Sequence, residues 1–205
     1  MFSLGLGLIS FLGCTEKAPV PKPRVYLKLD LPEHSYSKTE INHPCFSYQF
    51  DLGKPYDVGQ YVLNQARPFF YFNQRKLTQF NARQIIDLGP FTGRIELFSF
   101  VFPTRDSLSK LIEFSNDLVD EDKIKADSIS FERYVDPKHR VFGTVYSLKG
   151  NVANNFRFHL TDSTRRFLMG YLMLECPPNY DSLRPSLDYL KVDLDRMIES
   201  FRWKD

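Results

Sequence analysis

The cysteines are the residues of this 205-residue chain whose chemistry is easiest to place. Cys14 follows an apolar run over residues 2–12 (FSLGLGLISFL) and the small residue Gly13. As a helix, the run covers only about half of the ~30 Å apolar core of a bilayer, so it indicates a cleavable secretion signal rather than a membrane span. Residues 11–14 (FLGC) have the pattern of a bacterial lipobox, with Phe where Leu is usual. We therefore expect Cys14 to carry a diacylglycerol as the mature N-terminus.

The other two cysteines, Cys45 and Cys176, are candidates for a disulfide. Cys45 opens one predicted strand and Cys176 closes another. If these strands are antiparallel neighbours, the two thiols lie at the same end of the sheet. A secreted protein meets an oxidising compartment, which permits a bridge. Two buried free thiols are the alternative interpretation.

Histidines offer the next candidates for catalysis or metal binding. His34, His43, His139 and His159 form no i, i+4 ligand pair, and HExxH, CxxC, GxSxG and P-loop motifs are absent from the sequence. Glu33 and His34 with His43 could ligate a metal, but loops often carry such residues. We predict no metal, no cofactor and no catalytic residues, and we place His159 on the polar face of a strand. A buried Asp–His pair in a cleft would instead favour a periplasmic hydrolase.

The turn around Asp162 and Ser163 is the first candidate partner surface. Its short polar side chains can bond their own backbone and hold the turn, which is a sufficient structural explanation. The functional interpretation is an exposed docking loop flanked by Arg165 and Arg166.

An aromatic and basic segment, residues 67–83, is the second candidate partner surface. Its consecutive aromatic residues cannot all face one core if the segment is a strand, so some of them could contact a partner. Coverage of both faces by other elements is the equally open alternative. The residues in question are Phe69, Phe70, Tyr71 and Phe72.

Composition limits the class of protein. Apolar residues make up 42% of the chain, with 19 Phe and 11 Tyr, which is enough for a sizeable core. The net charge of +2 lacks the concentrated basic character that nucleic-acid binding requires. We divide the chain into a signal peptide (1–13), a lipidated Cys with a Pro-rich tether (14–24), and one globular α+β domain (25–205).

Periodicity predicts the elements that must position these residues. Alternation and turn signals predict a short edge strand at 26–31 and further strands at 45–51, 93–102, 128–135, 141–149, 155–160 and 167–175. Helical spacing predicts a helix over 104–120, capped by Thr104 or Asp106, and a final helix capped by Asp181 or Ser182 with Pro185 in its first turn. The result is an α+β fold, with an antiparallel sheet packed by two main helices. Its element order is PsbP/Mog1-like by analogy.

Several stretches carry a resemblance to a known family. They are residues 21–32 (PKPRVYLKLDLP), 124–129 (IKADSI), 150–153 (GNVA), 158–164 (FHLTDST) running on to 167–170 (FLMG), 179–185 (NYDSLRP) and 201–204 (FRWK). Together they resemble the gliding-motility-associated lipoprotein GldD family. The resemblance covers nearly the whole chain after the tether and is weakest across residues 52–92.

The resemblance implies a role in surface gliding and in the linked type IX protein secretion, and it implies no reaction. We therefore expect a non-enzymatic assembly or scaffold component in the cell envelope, lipid-anchored and periplasm-facing, with the outer membrane favoured over the inner one. The expected partners are other gliding and type IX secretion envelope proteins, with no nucleic acid. The alternative is a periplasmic carrier of a small molecule or lipid, with a pocket lined by Phe and Tyr.

Overall fold

The computed structural model describes residues 30–43, 46–63, 71–72, 75–76, 82–102 and 104–204, and the side chains at 71–72 and 75–76 are not among the described groups. The predicted signal peptide and tether, with Cys14, lie outside this part of the chain. So do Cys45, Phe69 and Phe70, and the side chains of Tyr71 and Phe72. The division into signal, tether and domain therefore stays a prediction.

The described residues form 13 strands, two α-helices and one 3-10 turn. In chain order the elements are β1 (Tyr36–Asn42), β2 (Ser47–Gly53), β3 (Asp57–Val58), β4 (Val62–Leu63), β5 (Tyr71–Phe72), β6 (Arg75–Lys76), β7 (Ala82–Asp87), a 3-10 turn (Gly89–Phe91), β8 (Gly93–Val101), α1 (Arg105–Asp122), β9 (Ala126–Asp136), β10 (Val141–Gly150), β11 (Phe156–Thr161), β12 (Arg166–Leu174), α2 (Tyr180–Glu199) and β13 (Arg202–Lys204).

The larger sheet is antiparallel and has the order β3-β7-β8-β12-β11-β10-β9, with β4 also pairing with β7. Its central strands are apolar on both faces because each face is covered by a helix. Along β8, Ile95 and Leu97 belong to the main core that packs against α2, whereas Phe98 and Phe100 pack against α1. This alternation follows from the two-residue repeat of a strand.

The smaller sheet has the order β1-β2-β13 and is also antiparallel. Tyr48 and Phe50 of β2 are fully buried in the main core, where Phe201 stacks on Tyr48 with the ring centroids 5.4 Å apart. The C-terminal strand therefore holds the smaller sheet against α2 and closes the core.

Helix ends agree with the sequence at one helix and differ at the other. The Thr104 Oγ1 accepts a hydrogen bond from the Ser107 amide at 3.3 Å, so the predicted cap of α1 is confirmed. The predicted caps of α2 are wrong, because its N-cap is Asn179, whose side chain makes no capping bond. Asn151 Oδ1 accepts from the Tyr180 amide at 2.8 Å instead. Pro185 is the sixth helical residue and lies beyond the first turn.

The α+β class with antiparallel sheets and two main helices is confirmed. The prediction of one sheet is wrong, and the strands β1, β7 and β13 were not predicted. Asp30 and Leu31, the described part of the predicted edge strand 26–31, lie outside any strand. The PsbP/Mog1-like order stays a prediction.

The premise for a Cys45–Cys176 bridge is wrong. The strand that follows Cys45 is β2 in the smaller sheet, whereas Cys176 follows β12 in the larger one, so the two strands are not neighbours. Cys176 is exposed, so the alternative of two buried thiols is wrong for this residue. Because Cys45 lies outside the described residues, the bridge itself stays a prediction.

Candidate partner-binding groove

The turn between β11 and β12 is held by the buried carboxylate of Asp162. Its Oδ1 accepts hydrogen bonds from the backbone amides of Thr164, Arg165 and Arg166 at 2.8, 2.8 and 2.9 Å. The Thr161 hydroxyl adds a second set, since it donates to the Arg166 carbonyl at 2.8 Å and accepts from the Ser163 amide at 3.0 Å. The structural explanation for this turn is therefore confirmed.

Electrostatics at Asp162 follow from these bonds. Burial by itself raises the pKa of this carboxyl, but the amide hydrogen bonds from Arg166, Arg165 and Thr164 outweigh burial and leave the pKa below its usual range. The charged carboxylate is thus directed at the backbone of its own turn. Arg166 Nε lies 3.9 Å from Asp162 Oδ2, whereas Ser163 and Arg165 are exposed.

A second turn, between β9 and β10, lies beside the first. The Arg140 guanidinium donates from Nη2 to the Asp162 carbonyl at 3.2 Å and to the Thr164 hydroxyl at 3.1 Å. Trp203 of β13 donates from its indole nitrogen to the Arg140 carbonyl at 3.0 Å. The two turns and the end of the smaller sheet are therefore fixed to one another.

These elements enclose a groove of about 440 Å³ at one end of the sheet. We call it the basic groove; its lining is Val101, Lys138, His139, Arg140, Asp162, Thr164, Arg165, Arg166 and Trp203. It contains the side chains of Lys138, Arg140, Arg165 and Arg166 against the single carboxylate of Asp162. Its excess positive charge suits an anionic ligand.

Two cations of the groove are the most available to a ligand. Lys138 and Arg165 are exposed, and no carboxylate in the described ranges forms an ion pair with either of them. His139 lines the groove as well, but its Nδ1 lies 2.6 Å from Asp136 Oδ2 of its own turn. This hydrogen bond lowers the pKa of Asp136.

A separate cluster joins the first described segment to α2. The buried carboxylate of Asp193 lies 2.6 Å from His34 Nδ1 and accepts a hydrogen bond from the Tyr36 hydroxyl at 2.8 Å and another from the Tyr56 hydroxyl. We call these four residues the Asp193 centre. Burial and then the bond to Asp193 raise the pKa of both tyrosines. His34 stacks on Tyr189 with the ring centroids 4.1 Å apart.

The Asp193 centre contains the Asp–His pair that would favour a hydrolase, but it lacks the rest of a catalytic site within the described residues. There, no Ser, Thr or Cys side chain hydrogen-bonds His34. Neither the basic groove nor a second groove near β4 has His34 or Asp193 in its lining. The arrangement fixes the segment that follows the predicted tether onto the last helix.

His159 does not lie on a polar strand face, contrary to the prediction. It is buried beneath α1, where Ser115 Oγ lies 3.0 Å from its Nδ1 and Phe167 stacks on its ring. The helix covers what the local alternation marked as a solvent face. Burial lowers the pKa of His159 to about 4.

The second groove, of about 820 Å³, lies beside β1, β4 and β7. Val58, Tyr61, Val62 and Leu63 on its rim are exposed. Tyr61 is the one aromatic residue in the lining that the structure describes, so this groove differs from the pocket lined by Phe and Tyr expected of a carrier. The aromatic surface predicted at residues 69–72 cannot be placed, since those side chains lie outside the described groups.

The structure brings Asp162, Ser163, Arg165 and Arg166 together with residues that the sequence did not single out. Lys138, Arg140 and Trp203 complete the basic groove. For Lys138 and Arg140, the sequence did contain a signal, namely the position of their turn. In a meander of hairpins, alternate turns lie at the same end of the sheet, so the turn at 137–140 must neighbour the turn at 162–165. Trp203 had no such signal, because β13 was not predicted.

Neither helix in the described part has the length and apolarity that crossing a bilayer requires. In the same part of the chain, no group of three or more His, Cys, Asp or Glu side chains is arranged to hold a metal ion.

Comparison with known proteins gives one match. A family model described as the gliding motility lipoprotein GldD matches residues 16–203 of the chain. No curated protein and no solved structure matches it significantly.

Proposed function

The chain belongs to the gliding motility lipoprotein GldD family, and from this premise we propose that it is a non-enzymatic assembly or scaffold component of the gliding apparatus and of the linked type IX secretion machinery. Family membership implies involvement in gliding motility and a location in the cell envelope. The observation that carries the proposal is the extent of the match, which begins two residues after Cys14 and ends at Trp203.

The anchor is the first part of the proposal. Cys14 carries the lipid, the Pro-rich tether spaces the domain from the membrane, and the domain faces the periplasm from the outer membrane. The Asp193 centre supports this arrangement, because it holds the segment after the tether against α2 through His34 and Tyr36. A pull on the tether would therefore be transmitted to the core of the domain.

The basic groove is the second part of the proposal. It docks an acidic segment of another envelope protein, with Lys138 and Arg165 supplying the charges that reach the ligand. Three observations support this role. The groove has excess positive charge, two of its cations have no carboxylate partner in the described ranges, and its turns are fixed by Arg140 and Trp203. Because these turns are fixed before binding, docking loses little conformational entropy.

Colony spreading of a deletion strain tests the motility role and the anchor together. The strain is complemented with the wild-type chain or with Cys14→Ala, and membrane fractions are probed for each form. We expect spreading to be lost on deletion and restored only by the chain that keeps Cys14. Normal spreading in the deletion strain would contradict the proposal and would move the carrier alternative to first place.

Site-specific photo-cross-linking in cells tests the groove. A photoreactive amino acid replaces Ser163, which is exposed at the tip of the turn, or Lys110, an exposed control position on α1. We expect Ser163 alone to give an adduct with an envelope protein. Adducts with lipid only, or equal adducts from both positions, would exclude protein docking at the groove.

A further inference from the structure

The outer strand β9 presents a long backbone edge. It pairs with β10 on one side, and no strand in the described ranges pairs with its other side. The opposite edge of the same sheet is formed by β3 and β4, which have two residues each, whereas β9 has 11. Short edge strands resist pairing with a second chain, and long regular ones permit it.

The features of β9 that oppose pairing at this edge are its charged residues Asp127, Glu132, Arg133 and Asp136. The strand contains no Pro and no Lys, and its pairing with β10 is regular from Asp136 to Ser128. Phe131 and Val135 lie on the same face and are 62% and 63% exposed, so together they form a short apolar stripe on the strand. The strand therefore offers both unpaired backbone groups and an apolar stripe to a partner strand.

We propose that β9 pairs with β9 of a second copy of this chain, antiparallel about a two-fold axis at Phe131, so that the larger sheets of two copies become continuous. The charges within residues 128–136, the regularly paired part of β9, select this register. An axis at Glu132 or Arg133 sets like charges directly opposite each other, and an axis at Tyr134 sets Glu132 against Asp136, also with like charges. Like charges at directly opposite positions are unfavourable.

Two-fold axes at the remaining positions differ in the number of β9 residues that they pair. An axis at Ser130 leaves only residues 128–132 in register, because the pairing becomes irregular at Lys149 and Gly150, opposite the start of β9. An axis at Phe131 pairs residues 128–134 and sets the two exposed phenyl rings opposite each other. Ile129 then faces Arg133, and Ser130 faces Glu132, so no two like charges lie directly opposite each other. Aromatic pairs at such positions stabilise antiparallel strands.

Cysteine trapping in intact cells tests the register. In a Cys176→Ser background, which removes the exposed native thiol, Phe131→Cys places two thiols on Cβ atoms about 5 Å apart across the axis. Ser128→Cys is the matched control on the same strand, with the two copies of that position about 20 Å apart. We expect a covalent dimer from Phe131→Cys and none from Ser128→Cys or the background chain. Equal trapping at both positions, or a disulfide to another protein at Phe131→Cys, would overturn the proposal.

Light scattering tests the dimer without a covalent bond between the copies. It measures the mass of the purified full-length lipoprotein, with correction for detergent. Phe131→Glu sets two carboxylates opposite each other, so we expect the protein mass to fall by half. Val192→Glu, at an exposed apolar position on α2, should leave the dimer intact. Melting temperatures confirm that each variant is folded. A wild-type chain that is monomeric, or a Phe131→Glu chain that stays dimeric, would overturn the proposal.

Discussion

The Asp193 centre and the basic groove both collect charged side chains, but they use them differently. In the Asp193 centre, one buried carboxylate contacts the imidazole of His34, the phenol of the nearby Tyr36 and the phenol of Tyr56. In the basic groove, the Asp162 carboxylate bonds the backbone of its own turn, and cations beside it are exposed to solvent.

This difference separates structural charges from charges that are available to a ligand. A buried charge needs hydrogen-bond partners, so its contacts are explained by folding alone. Exposed cations held at fixed positions are not needed for the fold and can contribute to recognition. An Asp–His pair is therefore weaker grounds for a function here than the less conspicuous arginines and lysine of two turns.

The largest effect on stability is expected from Asp193→Ala. The substitution leaves the buried Tyr56 hydroxyl without its acceptor and releases His34 and Tyr36 from α2, so we expect a loss of about 4 kcal/mol in the free energy of unfolding. Urea denaturation measures it. Tyr36→Phe, which removes one hydrogen bond to the same carboxylate, should cost only about 1 kcal/mol. Unchanged stability of Asp193→Ala would show that the Asp193 centre does not stabilise the fold.

His34→Gln tests whether the Asp193 centre has a role beyond the fold. Its amide can still donate to Asp193, so we expect a small loss of stability, about 1 kcal/mol, and normal colony spreading. A His34→Gln chain that is stable and lipidated but fails to support spreading would show that the Asp–His pair has a function beyond the fold.

Acid should destabilise the fold through His159. Burial holds its pKa at about 4 in the folded chain, below the value of 6.5 for an exposed imidazole. Between these values the unfolded chain binds a proton that the folded chain does not, so stability falls as the pH drops from 6.5 towards 4, by roughly 3 kcal/mol at the lower limit. Urea midpoints across this range measure the slope. We expect His159→Gln to flatten it, and an unchanged slope would show that other groups cause it.

Asp162→Ala should have a moderate effect, because it removes the acceptor for three amides of one turn. We expect a loss of about 2 kcal/mol, with a smaller loss for Asp162→Asn, which keeps one oxygen as an acceptor. Because Lys138 and Arg165 depend on the turns for their positions, Asp162→Ala should also weaken photo-cross-linking at Ser163. Normal cross-linking with a destabilised turn would indicate that partner binding at the groove does not depend on the shape of this turn.

Much of the fold could be predicted from the sequence, for reasons visible in particular elements. The strands β8 to β12 have apolar runs or alternation with turn residues between them, and α1 has a local cap at Thr104, so local physics defines them. The α2 cap could not be predicted, because Asn151 supplies the acceptor from a distant loop. β1 and β13 form strands only by pairing with β2, and three-residue β13 has no periodicity to detect.

The candidate site likewise has a part that could be predicted from the sequence and a part that could not. The turn at Asp162 is a local structure, so its hydrogen bonds could be anticipated from four adjacent residues. Contacts between Arg140, Trp203 and the turn depend on two sheets meeting, which no local pattern encodes. The contact between His34 and Asp193 spans 159 positions and is likewise invisible to periodicity.

Docking at the basic groove is tested most directly by colony spreading of the deletion strain complemented with Lys138→Glu/Arg165→Glu. Lys110→Glu/Lys149→Glu is the matched control, with the same change of charge at exposed positions on α1 and at the far end of β10. Both chains should unfold within about 0.5 kcal/mol of wild type, since exposed cations contribute little to stability. We expect the groove variant to be folded, lipidated and unable to restore spreading, while the control restores it. Normal spreading with the groove variant would contradict docking at the basic groove.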